Sequence, residues 1–440
     1  MTPALAILSG GRRSCDGRHC SLVSKRGEID VGGAGLGEAM SAVVVEHVVG
    51  LLPMTRRTPL DPPENYAALR EGPLRQVRTP RGDVAWLVTR YEDVRSVLTD
   101  RRFSSDPRAA GYPSYIAGSV PPPPGFFMQM DAPDHGRLRG LVSREFLNVH
   151  VERLRPRMEQ VIDSVLDDML AANNRPVDLV GALAYPVAAR IIGELLGMPY
   201  DDRRFVQETT DAVLDRSRSP AETEAAAIEL MSYFGRVVDG KAASPVDDLV
   251  GRLLADQAAD GRASREEIVG VTALLFLGGY DTMAQIIGLG TIVLLRHPAQ
   301  LAAFLDEPSR GDTLVDELVR YLSVNHAGLP RAVTDEVAVS GQTLRAGEGV
   351  LVMINAANRD RAAFERPDLI DLDQPSRHHL GFGHGLHKCI GAQFARTELQ
   401  LVFRKLFQRA PGLRTAVPIE ELRFRDEMVL YGVQSLPVTW

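Results

Sequence analysis

The chain has 440 residues, of which 45% are hydrophobic and 24% charged, with a formal charge of −7 at pH 7. This is ordinary globular composition and excludes a disordered, collagenous or disulfide-stapled chain. The acidic balance without basic blocks argues against a nucleic-acid protein. Cysteine occurs only at Cys15, Cys20 and Cys389, a sparse, odd count that points to a reducing compartment, the cytoplasm.

Residues 1–54 are Gly-rich and weakly patterned, and their apolar run at 41–54 is broken by Glu46 and His47. The run falls short of the ~20 residues that a membrane span requires, and a signal-peptide core and cleavage site are missing. The segment reads as a disordered extension or a misassigned start, with Met40 and Met54 as alternative starts. Beyond it no Gly/Ser or Pro-rich linker intervenes, so 55–440 is expected to be one domain.

In chain order, LRQVRTPRGDVAWLVTR predicts a hairpin around Arg81-Gly82-Asp83, and YEDVRSVLTD a short helix. After the turn-rich SVPPPPG, helical periodicity dominates 134–324, with helices expected near 150–171, 178–196, 222–239, 264–295 and 312–324. Strand-like text returns at 332–355 around Ser340-Gly341-Gln342, a helix is expected over about 389–409, and LPVTW reads as a strand. The fold class is mainly α with a small β-region.

Three features carry chemistry. In HHLGFGHGLHKCIGAQFARTEL, Gly381, Gly383, Gly385 and Gly391 crowd around Cys389 just before a well-patterned helix. Such glycine density lets backbone approach a flat ligand, and a helix N-terminus favours thiolate, the form that ligates metal. The residues alone leave three readings: a thiolate-bound metal centre, a zinc site using the four nearby histidines, and a structural loop around a core cysteine.

The second feature is VTALLFLGGYDTMAQIIGLGTIVLL, in which Asp281 is the only charge. Hydropathy alone would make it a membrane helix, but an aspartate near mid-span is costly in lipid, and a central buried helix is preferred. Mid-helix Gly278 and Gly279 each sacrifice about 0.5–1 kcal/mol relative to alanine, which implies a gain in space beside a ligand. Asp281 and Thr282 pair an ionisable group with a hydroxyl, as proton relay requires. The plain alternative is a kink in which Thr282 bonds back to the preceding turn.

The third is a set of helix-face pairs, Glu317 with Arg320 and His135 with Arg139, whose spacing alone would suit solvated surface pairs.

The run Phe382-Gly383-His384-Gly385-Leu386-His387-Lys388-Cys389-Ile390-Gly391 resembles the F-G-x-G-x-H-x-C-x-G haem-binding signature of the cytochrome P-450 monooxygenases. Gly278 to Thr282 resembles the family's [A/G]-G-x-[D/E]-T motif, and Glu317 with Arg320 its E-x-x-R pair. The likeness covers 55–440 in the expected order, including Asn358-Arg359-Asp360 and YGVQSLPVTW, and is nearest to soluble actinomycete members rich in xenobiotic and polyketide hydroxylases.

What the resemblance implies is specific. Haem b would be ligated by Cys389 within a loop that includes Phe382, Gly383 and Gly391. His135, Arg139, Arg331, His379 and His387 would approach its propionates. Gly279 would open a groove for O2, and Asp281 and Thr282 would relay protons during its reduction. Glu317 and Arg320 would brace the core, although the arginine that usually completes that pair is replaced by Gln374, with Arg377 three residues on. Substrate contacts would come from 103–128 including Met128, from the helix pair around 205–235, and from Tyr280, Asn325, His326 and Leu329.

The expected reaction inserts one oxygen atom from O2 into a mid-sized hydrophobic molecule, by hydroxylation or epoxidation, in secondary metabolism or xenobiotic oxidation. Electrons would come from a ferredoxin and its NAD(P)H-dependent ferredoxin reductase, docking on a face with Lys388, Arg396, Arg404 and Lys405. A monomer away from membranes and nucleic acid is expected. Other readings are a haem-thiolate enzyme of oxidative coupling or rearrangement, a degenerate haem-binding partner protein, and a membrane transporter.

Overall fold

The computed structural model describes residues 15–16, 19–20, 50–114, 122–373 and 378–440. Gln374 and Arg377 therefore lie outside the described residues, as do 115–121 and most of 1–49. The chain divides into two units, Met1–Glu46 and His47–Trp440. In the first, Cys15–Asp16 pairs antiparallel with His19–Cys20.

The predicted hairpin forms from β2 (Arg75–Arg78) and β3 (Val84–Val88), with Gly82 at φ 95°, where a side chain would be strained. They join β1 (Gly50–Leu51), β4 (Phe103–Ser104), β5 (Leu329–Val333) and β6 (Gly349–Val352) in a sheet ordered β1-β2-β3-β6-β5-β4. β6 runs parallel to β3 and antiparallel to β5. Alternation along β3 sends Trp86 and Val88 into one apolar cluster, and Ala85 and Leu87 into another on the opposite face. A strand covered on both sides is central rather than the edge of a free hairpin.

The larger core is helical. Helix α1 (Tyr91–Thr99) packs into the cluster of Trp86 and Val88, while the larger core draws on α2 (Asp134–Val142), α3 (Asn148–Leu170), α4 (Tyr185–Leu196), α5 (Arg203–Leu214), α6 (Pro220–Ala243), α7 (Arg265–Arg296), α8 (Gly311–Leu322) and α9 (Ala392–Arg409). Helices Leu249–Asp260 and Pro298–Asp306 went unforeseen. The helix expected over 178–196 is divided: Val177–Asp178 is a strand, Val180–Ala184 a π-turn, and only then does α4 begin. α9 starts three residues later than expected, because Gly391 is its N-cap and Cys389 belongs to the loop.

α7 is the axis of the core, in contact with α4, α6, α8 and α9. Its start is fixed by a capping box in which Ser264 and Glu267 satisfy each other's backbone N–H groups. Along an almost wholly buried helix, Thr272, Thr282 and Thr291 return their hydroxyls to carbonyls four residues back. By length and composition it could cross a membrane, but protein covers most of it, as expected of a core helix.

Candidate active site

The cysteine loop is shaped by backbone. The N–H of Cys389 donates to the Phe382 carbonyl at 2.7 Å, and Gly383 and Gly385 sit at φ 69° and 68°. A Cβ on Gly385 would lie 2.3 Å from the Leu98 carbonyl of α1, so the loop is pressed onto that helix. Cys389 is free and its side chain remains accessible. Surrounding protein pushes the thiol pKa up, while the Gly391 N–H and the charges of Arg139, Arg396 and Lys388 pull it down.

The histidines disperse rather than gather for zinc. His378 bonds the Ala363 carbonyl, His379 bonds Asp316, and His387 lies 3.1 Å from the Ser105 hydroxyl. Among the described residues no group of three or more metal-ligating side chains forms.

Three expected anion-binding residues do converge. The rings of His135 and His387 are 4.2 Å apart, and Arg139 donates to the Lys388 carbonyl at 2.7 Å. Burial, followed by the charges of Arg331, His135 and Arg139, depresses His387 to about 3. His135 Nε2 and His387 Nδ1 are buried without partners. Orphaned imidazole nitrogens beside two guanidinium groups are unfavourable unless an acidic ligand completes them. Together with an accessible thiol at a helix N-terminus, this donor set fits haem and its propionates. His379 is a correction: Asp316 and the Gly381 N–H occupy its two nitrogens, so it braces the loop instead.

On α7, Gly278 and Gly279 separate in role. A Cβ on Gly278 would meet nothing within 4 Å, whereas one on Gly279 would lie 2.9 Å from Ile192 of α4. Gly278 thus opens space and Gly279 permits helix packing, which corrects the expected assignment. Thr282 donates to the Gly278 carbonyl at 2.6 Å, as the plain alternative held, yet it keeps accessible surface, as do Leu277, Gly278 and Gly279 a turn before it.

Asp281 is fully enclosed by groups that no motif announced. Its Oδ1 accepts from Arg425 Nη1 at 2.6 Å, Tyr185 Oη at 3.0 Å and Gln285 Nε2 at 2.9 Å. Arg425 Nη2 also reaches Asp211 of α5 at 2.8 Å. Burial raises Asp211 to about 6; the Arg425 guanidinium pulls it down, and the like charge of Asp281 adds to the rise. A lone buried charge in an apolar helix signals that some cation is missing from the motif, but the sequence does not say which of many arginines supplies it.

Glu317 and Arg320 form a bidentate pair at 2.7 and 2.8 Å, with side chains 3% and 2% exposed, so the surface-pair reading fails. Arg320 also donates to the Asn358, Pro367 and Leu369 carbonyls, and Glu317 accepts the Asp371 N–H. Asn358 carries the connection onward, accepting from the Leu380 N–H at the entrance to the cysteine loop.

Of the expected substrate contacts, Tyr280 and His326 are corrected. Tyr280 is 1% exposed between Tyr185 and Phe276, and His326 is fully buried against Tyr431 with Nε2 at 3.2 Å from the Asp426 carbonyl. Neither offers surface to a ligand. Asn325 accepts the Gly328 N–H in a turn, Leu329 is half-buried and Met128 is exposed. The basic face is also smaller than expected: Arg396 pairs with Asp316, Lys405 with Asp163, and Arg404 covers the Phe304 ring. Lys388 is exposed and makes no ion pair among the described residues.

This arrangement defines a haem-thiolate oxygenase, and the chain belongs to the cytochrome P450 family, whose members bind haem b through a cysteine thiolate and act as monooxygenases. The family model for cytochrome P450 matches residues 312–410. The chain is 40% identical to cytochrome P450-SU2 of Streptomyces griseolus over 385 residues, 87% of this chain and 94% of that one. It is 38% identical to the vitamin D3 dihydroxylase of the same organism over 392 residues, 88% and 96% of the two chains. The crystal structure of MoxA from Nonomuraea recticatena superposes with a TM-score of 0.80 at 40% identity, covering 89% of this chain and 98% of that one.

Proposed function

We propose that residues 55–440 form a cytoplasmic monooxygenase domain in which Cys389 would ligate the haem iron and Asp281 with Thr282 would handle protons during O2 reduction. The observation that carries this reading is the pairing of an accessible, loop-held Cys389 with the orphaned His135 and His387 nitrogens. When bound, haem b supplies O2 activation, by which one oxygen atom enters the substrate and the other leaves as water.

The chain's own residues do the rest. His387, His135, Arg139 and Arg331 would hold the propionates, and Phe382, Gly383 and Gly391 shape the ligand loop. Gly278 leaves room beside α7. Thr282 keeps its hydroxyl proton on the Gly278 carbonyl until rotation presents it to the open side. Asp281 would pass protons drawn from solvent toward that hydroxyl, held in place by Arg425, which bonds both of its carboxylate oxygens. Glu317 and Arg320 hold the loop's approach through Asn358.

The substrate proposed is a mid-sized hydrophobic molecule bearing a few oxygen functions, a class supported by the vitamin D3 dihydroxylase relative, with Leu329, Asn325 and Met128 among its contacts. A ferredoxin and an NAD(P)H-dependent reductase supply the electrons, with Lys388 at the docking face. The CO difference spectrum of the dithionite-reduced protein tests the core assignment. A strongly red-shifted Soret band that vanishes in Cys389→Ser is expected; absence of haem absorbance after reconstitution would overturn it.

A further inference from the structure

Behind the cysteine loop lies a carboxylate that no motif announced. Asp316 of α8 has a side chain only 3% exposed, and its Oδ1 is 2.7 Å from Arg396 Nε and 3.3 Å from His379 Nε2. His379 Nδ1 accepts the Gly381 N–H at 3.0 Å, and this assigns the ring proton to Nε2, where it donates to Asp316. One carboxylate therefore ties together α8, the entering arm of the cysteine loop and α9.

Arg396 stands seven residues after Cys389, in the second turn of α9. Its guanidinium lies 4.8 Å from the centre of the Phe382 ring, the residue whose carbonyl accepts the Cys389 N–H. The guanidinium therefore stands beside the backbone segment that holds the sulfur. A buried ion pair of this kind contributes little net stability, because desolvation offsets attraction. A fixed charge in the same low-dielectric setting acts strongly on its neighbours, however. The pair is better explained by what it does to the sulfur than by what it adds to the fold.

We propose that Asp316 is a positioning residue that holds Arg396 and balances its charge, and so sets the electron-donating strength of the Cys389 sulfur toward bound haem. The proposal rests on the reading of Cys389 as the haem ligand. Asp316→Asn keeps the side-chain shape and one acceptor oxygen but leaves Arg396 unbalanced. Arg396→Met removes the cation instead.

The test measures the haem midpoint potential of the full-length, haem-loaded protein by dithionite titration. Asp316→Asn is expected to shift it positive, Arg396→Met negative, and the double variant back toward wild type. A purely structural role would lower the melting temperature and leave the potentials alike. The CO-bound spectrum keeps the two readings apart: lack of the red-shifted band in wild type sinks the Cys389 assignment. Intact bands with unshifted potentials in both single variants overturn the role of Asp316. Should Asp316→Asn fail to fold, Arg396→Met with Asp316→Glu decides, since the glutamate variant is expected to retain the wild-type potential.

Discussion

The cysteine loop and the Asp281 cluster solve different problems, and they are built in different ways. The loop is one short stretch whose shape comes from its own glycines and from backbone bonds such as Cys389 N–H to Phe382 carbonyl. The cluster joins Asp281 to Tyr185, 96 residues earlier, and to Arg425, 144 residues later, with Asp211 on a third element. Holding a flat ligand needs backbone shape, which neighbouring residues can specify. Managing a buried charge needs only a counter-charge at the right place, and any part of the chain can deliver one.

If that contrast is right, the largest effect on stability should come from the dispersed cluster. Arg425→Met leaves Asp281 and Asp211 without their common cation and is expected to cost about 3–5 kcal/mol in urea unfolding. Loss under about 1 kcal/mol would mean that water or another cation replaces it, and that the cluster is not charge-limited. Next, Asp281→Asn is expected to lower kcat by about a hundredfold while substrate affinity holds, since it removes a proton-transfer group. Steady-state turnover alongside substrate-binding titration checks this; an equal rise in KM would place the residue in binding instead.

A pH experiment sharpens the comparison further. The folded-state pKa of Asp211 is raised from 3.8 to about 6, so the folded form holds this proton more tightly than the unfolded form does. The stability this confers is fully present below the unfolded value and is lost as pH rises through about 6. Asp211→Asn is expected to flatten that dependence between those limits when stability is followed by chemical denaturation. An unchanged slope would remove Asp211 from the balance.

The smallest effect should separate two adjacent glycines. Gly278→Ala adds a methyl group into open space and is expected to raise thermal stability by about 0.5–1 kcal/mol while impeding O2 or substrate. Gly279→Ala meets Ile192 and is expected to destabilise. Equal melting temperatures would show that α4 yields easily.

Much of this was legible because the decisive residues sit at fixed spacing. The Gly-rich run to Cys389, the long apolar α7 and the Glu317–Arg320 pair follow from short-range pattern. What escaped depends on tertiary pairing. Nothing near Val84–Val88 announces Gly349–Val352 as its parallel neighbour, and nothing near Asp281 points to Arg425. Even within a motif, orientation was invisible: His379 and Tyr280 read as ligand contacts but turn into packing. Helical phase places a residue on a face, but which face meets a cavity is decided by neighbours elsewhere in sequence.

The parallel pairing of β3 with β6 has a consequence for how the molecule comes into being. Trp86 of β3 donates to Glu348, 262 positions further along the chain, so the central sheet is assembled from opposite halves of the sequence. Contacts so remote must close a very large loop before they return any free energy, which makes assembly slow. Neither half separated from the other carries a finished sheet, nor the whole set of residues that would hold the cofactor, since His135 and Arg139 lie in the first half and Cys389 in the second.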